Sequence, residues 1–165
     1  MRTPRPDPVG PGQESVWDYP RPPRLEHVDR RIVVEFAGSV IIDTRDVVRV
    51  LETSHPPAYY LPIDAFAEGA LRPGEGTSFC EYKGRAAYFD IVANGRVASR
   101  VAWTYPQPSP GFEDLAGRVA LYPGPMDRCT VDGEVVTPQP GGFYGGWITS
   151  DIRGPVKGVP GSSGW

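Results

Sequence analysis

Cysteine and histidine are scarce in this chain of 165 residues, with two of each. A closed structural zinc site would consume nearly all four of these side chains, and no Cys-x-x-Cys pair is present to begin one. Cys80 and Cys129 lie far apart in sequence and are expected as thiols of a reducing compartment rather than as a disulfide. Long apolar runs are also missing. The start, Met1-Arg2-Thr3-Pro4-Arg5-Pro6, is polar and proline-rich, which argues against a secretory signal or a membrane span and for a cytoplasmic protein. Nor does either sign of charge run in blocks: 17 basic against 20 acidic residues give a formal net charge of −3. The electrostatic footprint of duplex binding is therefore absent, and nucleic acid is not an expected partner.

Glycine and proline are what the chain has in plenty, 20 of each. Such dense punctuation interrupts helices and favours short strands and turns. The length suits one folding unit with a real core. The expectation is an all-β, mainly antiparallel domain, sandwich or barrel-like, with one short helix and long Pro/Gly-rich terminal arms. Residues 1–23 form a proline-rich arm that either wraps the domain, anchored by Trp17 and Tyr19, or stays disordered over residues 1–13. Residues 24–140 form the β domain. Residues 141–165, rich in glycine and large aromatics, read as a covering loop or a flexible tail, and the aromatics favour docking.

From Arg31 the apolar residues alternate, with Ile32, Val34 and Phe36 on one side, and Ala37-Gly38 turns the chain into Val40-Ile41-Ile42. Val47 to Leu51 makes a third strand on which Val48 and Val50 share a face that Glu52 extends. Residues 85–92 and 96–104 form a hairpin closed by Asn94-Gly95, with Val97, Val101 and Trp103 on one side of the return strand. Ser109-Pro110 reads as an N-cap followed by proline at the first helical position, ahead of Phe112 and Leu115, with Gly117 as the stop. Residues 118–122 and 128–136 supply the last strands, the latter folded at Asp132-Gly133. Edge strands of such a sheet leave room for a homodimer.

Two segments read together as a signature: Leu51-Glu52-Thr53-Ser54-His55-Pro56-Pro57-Ala58-Tyr59-Tyr60-Leu61-Pro62, and Thr77-Ser78-Phe79-Cys80-Glu81-Tyr82-Lys83-Gly84-Arg85-Ala86-Ala87-Tyr88. They resemble the bacterial DUF427 family, as do Ala102-Trp103-Thr104-Tyr105-Pro106 and Val119-Ala120-Leu121-Tyr122-Pro123. Glu81 stands where that family carries proline. The resemblance spans roughly residues 25 to 140 and implies a compact all-β domain without an assigned reaction, sometimes labelled nucleotidyltransferase-like. Enzymes of that label need a Gly-Ser turn and an Asp-x-Asp pair to hold Mg²⁺ against a triphosphate. Gly38-Ser39 with Asp43 and Asp46 has the ingredients at the wrong spacing, and Gly38-Ser39 is explained as a hairpin turn.

The candidate chemistry gathers in the signature. Glu52, at the end of an apolar strand face, is a partly desolvated acid or base, or else a strand-end carboxylate paired with an arginine. Lys83, before Gly84, is an anion clamp or nucleophilic amine, or a solvated turn lysine. Tyr60, Tyr88 and Trp103 are candidate ligand-binding groups, with a core role as the plain alternative. Cys80 with His55 as its base would make a thiolate nucleophile; the alternative is a buried inert thiol and a loop histidine. Glu52, His55 and Cys80 are the only candidate metal ligands here, and they fall short of a metal signature. No cofactor is indicated. Three functions follow: an enzyme acting on a small polar metabolite in a cavity with Glu52, Tyr60 and Lys83, a non-catalytic small-molecule binding module, or a nucleotidyltransferase.

Overall fold

The computed structural model describes residues 3–165. Met1 and Arg2, the first two residues of the proline-rich arm, lie outside the described residues. In chain order the strands are β1 (Glu14–Ser15), β2 (Arg24–Val28), β3 (Ile32–Phe36), β4 (Ser39–Thr44), β5 (Val47–Leu51), β6 (Ala58–Pro62), β7 (Leu71–Cys80) and β8 (Gly84–Ala93). They continue with β9 (Arg96–Thr104), β10 (Arg118–Leu121), β11 (Arg128–Val131), β12 (Glu134–Val135), β13 (Thr137–Pro138), β14 (Trp147–Ile148) and β15 (Ile152–Arg153). Seven of them form one sheet in the order β2-β5-β6-β10-β9-β8-β7, and four form a second in the order β12-β11-β3-β4. The larger sheet stays open, with β2 and β7 at its edges, so the architecture is an all-β sandwich and not a closed barrel.

Period-two alternation builds the layer between the sheets. Ile32, Val34 and Phe36 of β3 are buried while Val33 and Glu35 are half-exposed. The first group meets Tyr59 and Leu61 of β6, Val119 and Leu121 of β10, and Cys129 and Val131 of β11 in one apolar cluster. Burial drives the Cys129 thiol up to about 12, so it stays protonated and acts as a small hydrophobe. The turns follow their residues: Asn94 and Gly95 sit at φ 48° and 77°, and Asp132 and Gly133 at 48° and 84°, as two-residue hairpins require.

The other face of the large sheet carries the next residue in each alternation. Val48 and Val50 of β5 and Tyr60 of β6 pack there with Ala86, Tyr105, Leu115 and Ala120. In register, Val48 stands opposite Tyr60 and Val50 opposite Ala58, while Trp103 stands opposite Ala120 on one side and Tyr88 on the other. This outer face, extended past the end of β5, positions the site.

Two expectations are corrected. No α-helix forms after Ser109-Pro110: only a 3-10 turn, Glu113–Leu115, is present. Gly111 enters the left-handed region at φ 91° directly after Pro110 and breaks the run, and the Ser109 carbonyl, not its hydroxyl, accepts from Phe112 N–H at 2.9 Å. The shared face of Val97, Val101 and Trp103 is also broken. Arg100 adopts φ 53° at an irregularity in the β8–β9 register between Phe89 and Ile91. Val97 is exposed, Val101 joins the inter-sheet core, and Trp103 packs on the outer face.

Residues 14–19 and the C-terminal segment pack on the body together. Val16, Tyr19, Leu51 and Ile152 form a small buried cluster, β1 pairs in parallel with β15, and Trp17 Nε1 donates to the Pro155 carbonyl at 2.9 Å. Trp147 is fully buried beside Tyr59 and anchors the C-terminal segment. Among the described residues, no helix is long and apolar enough to cross a membrane.

Candidate functional site

A cavity of about 250 Å³ opens on the outer face of the large sheet. Glu52, His55, Tyr60, Lys83, Tyr88 and Trp103 all line it, so the ends of the two signature segments face one another across it. Cys80 does not line it: its side chain packs against the cluster of Val48, Tyr60 and Tyr105.

The turn after β5 brings Glu52 and His55 side by side. His55 N–H donates to the Glu52 carbonyl at 3.0 Å, and Ser54 between them takes the left-handed conformation, φ 72°, its own N–H held by the Val16 carbonyl at 3.0 Å. The carboxylate that continues the Val48–Val50 face thus looks into the cavity. Its Oε2 stands 3.7 Å from Arg21 Nε and 3.8 Å from His55 Nε2, both longer than a hydrogen bond. Glu52 therefore keeps acceptor capacity for a ligand. Burial pulls the His55 imidazole below its ordinary value; Glu52 opposes that, while Lys157, Arg21 and Lys83 add to it.

Lys83 comes from the opposite side, on the turn between β7 and β8. Gly84 follows at φ 108°, and a Cβ there would press the Gln107 carbonyl and Ser109 Oγ at 3.3 Å, so the turn needs glycine on both counts. The ammonium lies 5.9 Å from the Tyr105 ring centroid, a cation–π distance that leaves its three donors available.

Aromatic residues make the floor. Trp103 Nε1 donates to Tyr60 Oη at 3.1 Å, Tyr88 Oη bonds Ser78 Oγ at 2.8 Å, and Trp103 leans on Tyr122 at 4.8 Å between ring centroids. Complete burial raises the Tyr60 phenol well above its usual range, so it is a neutral hydroxyl here.

The wall facing them comes from the segment after β13. Gln139 is buried, and Tyr144 meets the His55 ring edge-on at 5.2 Å. Gly145 and Gly146 seat closely: a Cβ on Gly145 would fall 2.2 Å from Trp103 Cη2, and one on Gly146 2.5 Å from Gln139 Oε1. Gln139, Tyr105 and Tyr122 were not among the expected site residues, and Tyr144 entered only as part of the C-terminal covering loop. The Gly145-Gly146 pair between aromatics was the available signal of close packing.

Cys80 and His55 do not form a nucleophile–base pair. His55 Nδ1 is engaged by Gln139 at 3.1 Å and Nε2 faces Glu52. The nucleotidyltransferase ingredients are spent elsewhere, with Asp43 paired to Arg31 and Asp46 to Arg118, each at 2.7 Å. Among the described residues, no three His, Cys, Asp or Glu side chains cluster as metal ligands.

Comparison with curated proteins gives no match. The model of a family described as a domain of unknown function, DUF427, with the label NTP_transf_9, matches residues 24–132. That covers most of the chain, including every signature residue and the floor of the cavity, and the chain belongs to this family.

Proposed function

We propose that this DUF427 domain binds a small polar metabolite in the cavity and that Glu52 acts on it as acid or base, with Lys83 as the partner for an anionic or electron-rich group. One observation carries the reading. Glu52 and Lys83 approach the same cavity from different turns, and neither is saturated by a close partner. Structural charges are normally paired, and unsaturated groups converging in a concave site are the usual mark of ligand chemistry. At about 250 Å³ the space lies below the range of drug-sized pockets, which favours a metabolite of a few carbons. The aromatic floor excludes water from one side and strengthens the electrostatics within.

The test is a screen of small metabolites followed by NMR, with wild type, Glu52→Gln and Lys83→Ala in parallel. Wild type should consume a compound, Glu52→Gln should lose about 10²–10⁴-fold in rate, the usual range for a general acid or base, and Lys83→Ala should raise KM. Unchanged turnover in Glu52→Gln overturns the reading.

The aromatic floor favours a second reading, a binding module without chemistry. Ligand-induced melting shifts without consumption would support that instead. Release of pyrophosphate from nucleoside triphosphates and Mg²⁺ would favour the nucleotidyl transfer suggested by the family label.

A further inference from the structure

We propose that Gln139 fixes His55 as a neutral imidazole carrying its proton on Nε2, which makes His55 a hydrogen-bond donor for an acceptor oxygen, carbonyl or carboxylate, of the ligand. The inference deepens the acid–base reading above and rests on it for the ligand, but its structural half stands alone.

Two backbone groups dictate the orientation of the Gln139 amide. Gly146 N–H donates to Oε1 at 3.0 Å, and a backbone N–H can only donate. Nε2 lies 2.8 Å from the Lys157 carbonyl, which can only accept. The amide is therefore not free to flip, and the atom 3.1 Å from His55 Nδ1 is the NH₂ nitrogen, a donor without acceptor capacity. Nδ1 must accept, so it carries no proton, and the single proton of the neutral ring sits on Nε2.

An imidazolium would set Nδ1–H against the Gln139 NH₂, donor to donor. The surrounding charges lean the same way: Lys83 across the cavity, Arg21 from the N-terminal arm and Lys157 from the C-terminal segment disfavour a positive ring, and only Glu52 favours it. Tyr144 closes the remaining side edge-on.

Nε2 lies 3.8 Å from Glu52 Oε2, beyond hydrogen-bond range, so its proton is unspent beside the cavity that His55 lines. Lys83 adds a second donor. A ligand oxygen accepting from both would gain stabilisation as it becomes more negative, while Glu52 remains the one proton acceptor beside it. His55 then orients and polarises, and Gln139 is the positioning residue behind it. Gln139 lies beyond the matched family residues 24–132, so the C-terminal segment completes the site.

The test is ¹⁵N–¹H long-range correlation NMR on the full chain, with His27→Gln removing the only other histidine. In wild type Nδ1 should resonate as an unprotonated nitrogen and Nε2 as a protonated one. In Gln139→Glu, whose carboxylate accepts from Nδ1–H and from Gly146 N–H but gives up the bond to the Lys157 carbonyl, the proton should appear on Nδ1. Addition of acetate, pyruvate and acetohydroxamate, small carboxylate and carbonyl probes, should move the wild-type Nε2–H resonance downfield for at least one of them.

A proton on Nδ1 in wild type, or no response of Nε2–H to any probe, overturns the proposal. Failure of Gln139→Glu to fold leaves the wild-type spectrum as the decisive readout. The stated tautomer and probe response without any metabolite turnover would uphold this inference and remove only the acid–base reading.

Discussion

Strand β5 carries one ion cluster midway along its length and a second just past its end, and the two are built on opposite plans. Arg49 is almost wholly buried, and its guanidinium is shared by Glu14 of the N-terminal arm and Glu26 of β2, the latter at 2.7 Å. Tyr19 adds a hydrogen bond to Glu14 at 2.9 Å. Every face of that charge is spoken for, and the cluster ties the arm to the sheet. Glu52, three residues on, meets Arg21 and the His55 ring only at 3.7 and 3.8 Å, and Lys83 across the cavity is held against an aromatic ring. The saturated charges tie the arm to the sheet, and under the proposed function the unsaturated ones serve a ligand.

The largest expected effect comes from breaking the saturated cluster. Replacing Glu14 and Glu26 together by alanine strands the Arg49 guanidinium in the interior and should cost about 3–5 kcal/mol in urea unfolding. Arg49→Met should cost well under that, because both carboxylates are about a third exposed and can regain water. Equal costs for the two changes would mean that the arginine is not the group the interior fails to solvate.

A smaller effect is expected where the C-terminal segment closes on the loose cluster. In Gly145→Ala the new methyl meets the Trp103 indole, and one of them must move. We expect a loss of about 1–3 kcal/mol, typical of overpacking, together with loss of the probe response at His55. A variant with wild-type stability and response would show that this segment does not form the wall.

The third prediction concerns pH. The imidazole of His55 lies below its ordinary value in the folded chain, so the unfolded chain binds the extra proton first. Stability should fall as pH drops below about 6.5, by at most about 1.4 kcal/mol per pH unit for one proton. His55→Gln should flatten the profile between about pH 6.5 and 5. Asp43 and Asp90, whose carboxylates are held low by Arg31 and by Arg100 N–H with Arg72 respectively, add their own losses only further down. A slope of opposite sign would indicate that His55 gains rather than loses proton affinity on folding.

How much of this was legible depends on how local each signal is. Ile32, Val34 and Phe36, and the turns at Asn94-Gly95 and Asp132-Gly133, announce their strands because alternation and positive φ are properties of a few adjacent residues. β7 was not anticipated: Pro73, Gly74 and Gly76 break any alternating pattern, yet on an edge strand with a register break between Pro73 and Thr77 they are tolerated. β6 was hidden by its flanking prolines, and pairing with β5 and β10 is what makes Tyr59 and Tyr60 strand residues. Glu52 and Lys83 were accessible through strand-face continuity and the glycine after the lysine. Gln139 was not, since it lies 84 positions from His55 and nothing but the fold brings them together. The placement of Cys80 outside the cavity lining was illegible for the complementary reason: nearness to a signature says nothing about which way a strand-end side chain points.

The most direct measurement takes Glu52→Gln alone and determines its urea unfolding free energy and its turnover in the metabolite screen side by side. The unsaturated cluster should leave stability within about 0.5 kcal/mol of wild type, as for a surface substitution away from structural features, while turnover is lost. Marked destabilisation, or full turnover with an intact fold, would contradict the division between charges that hold the structure and charges that serve the ligand.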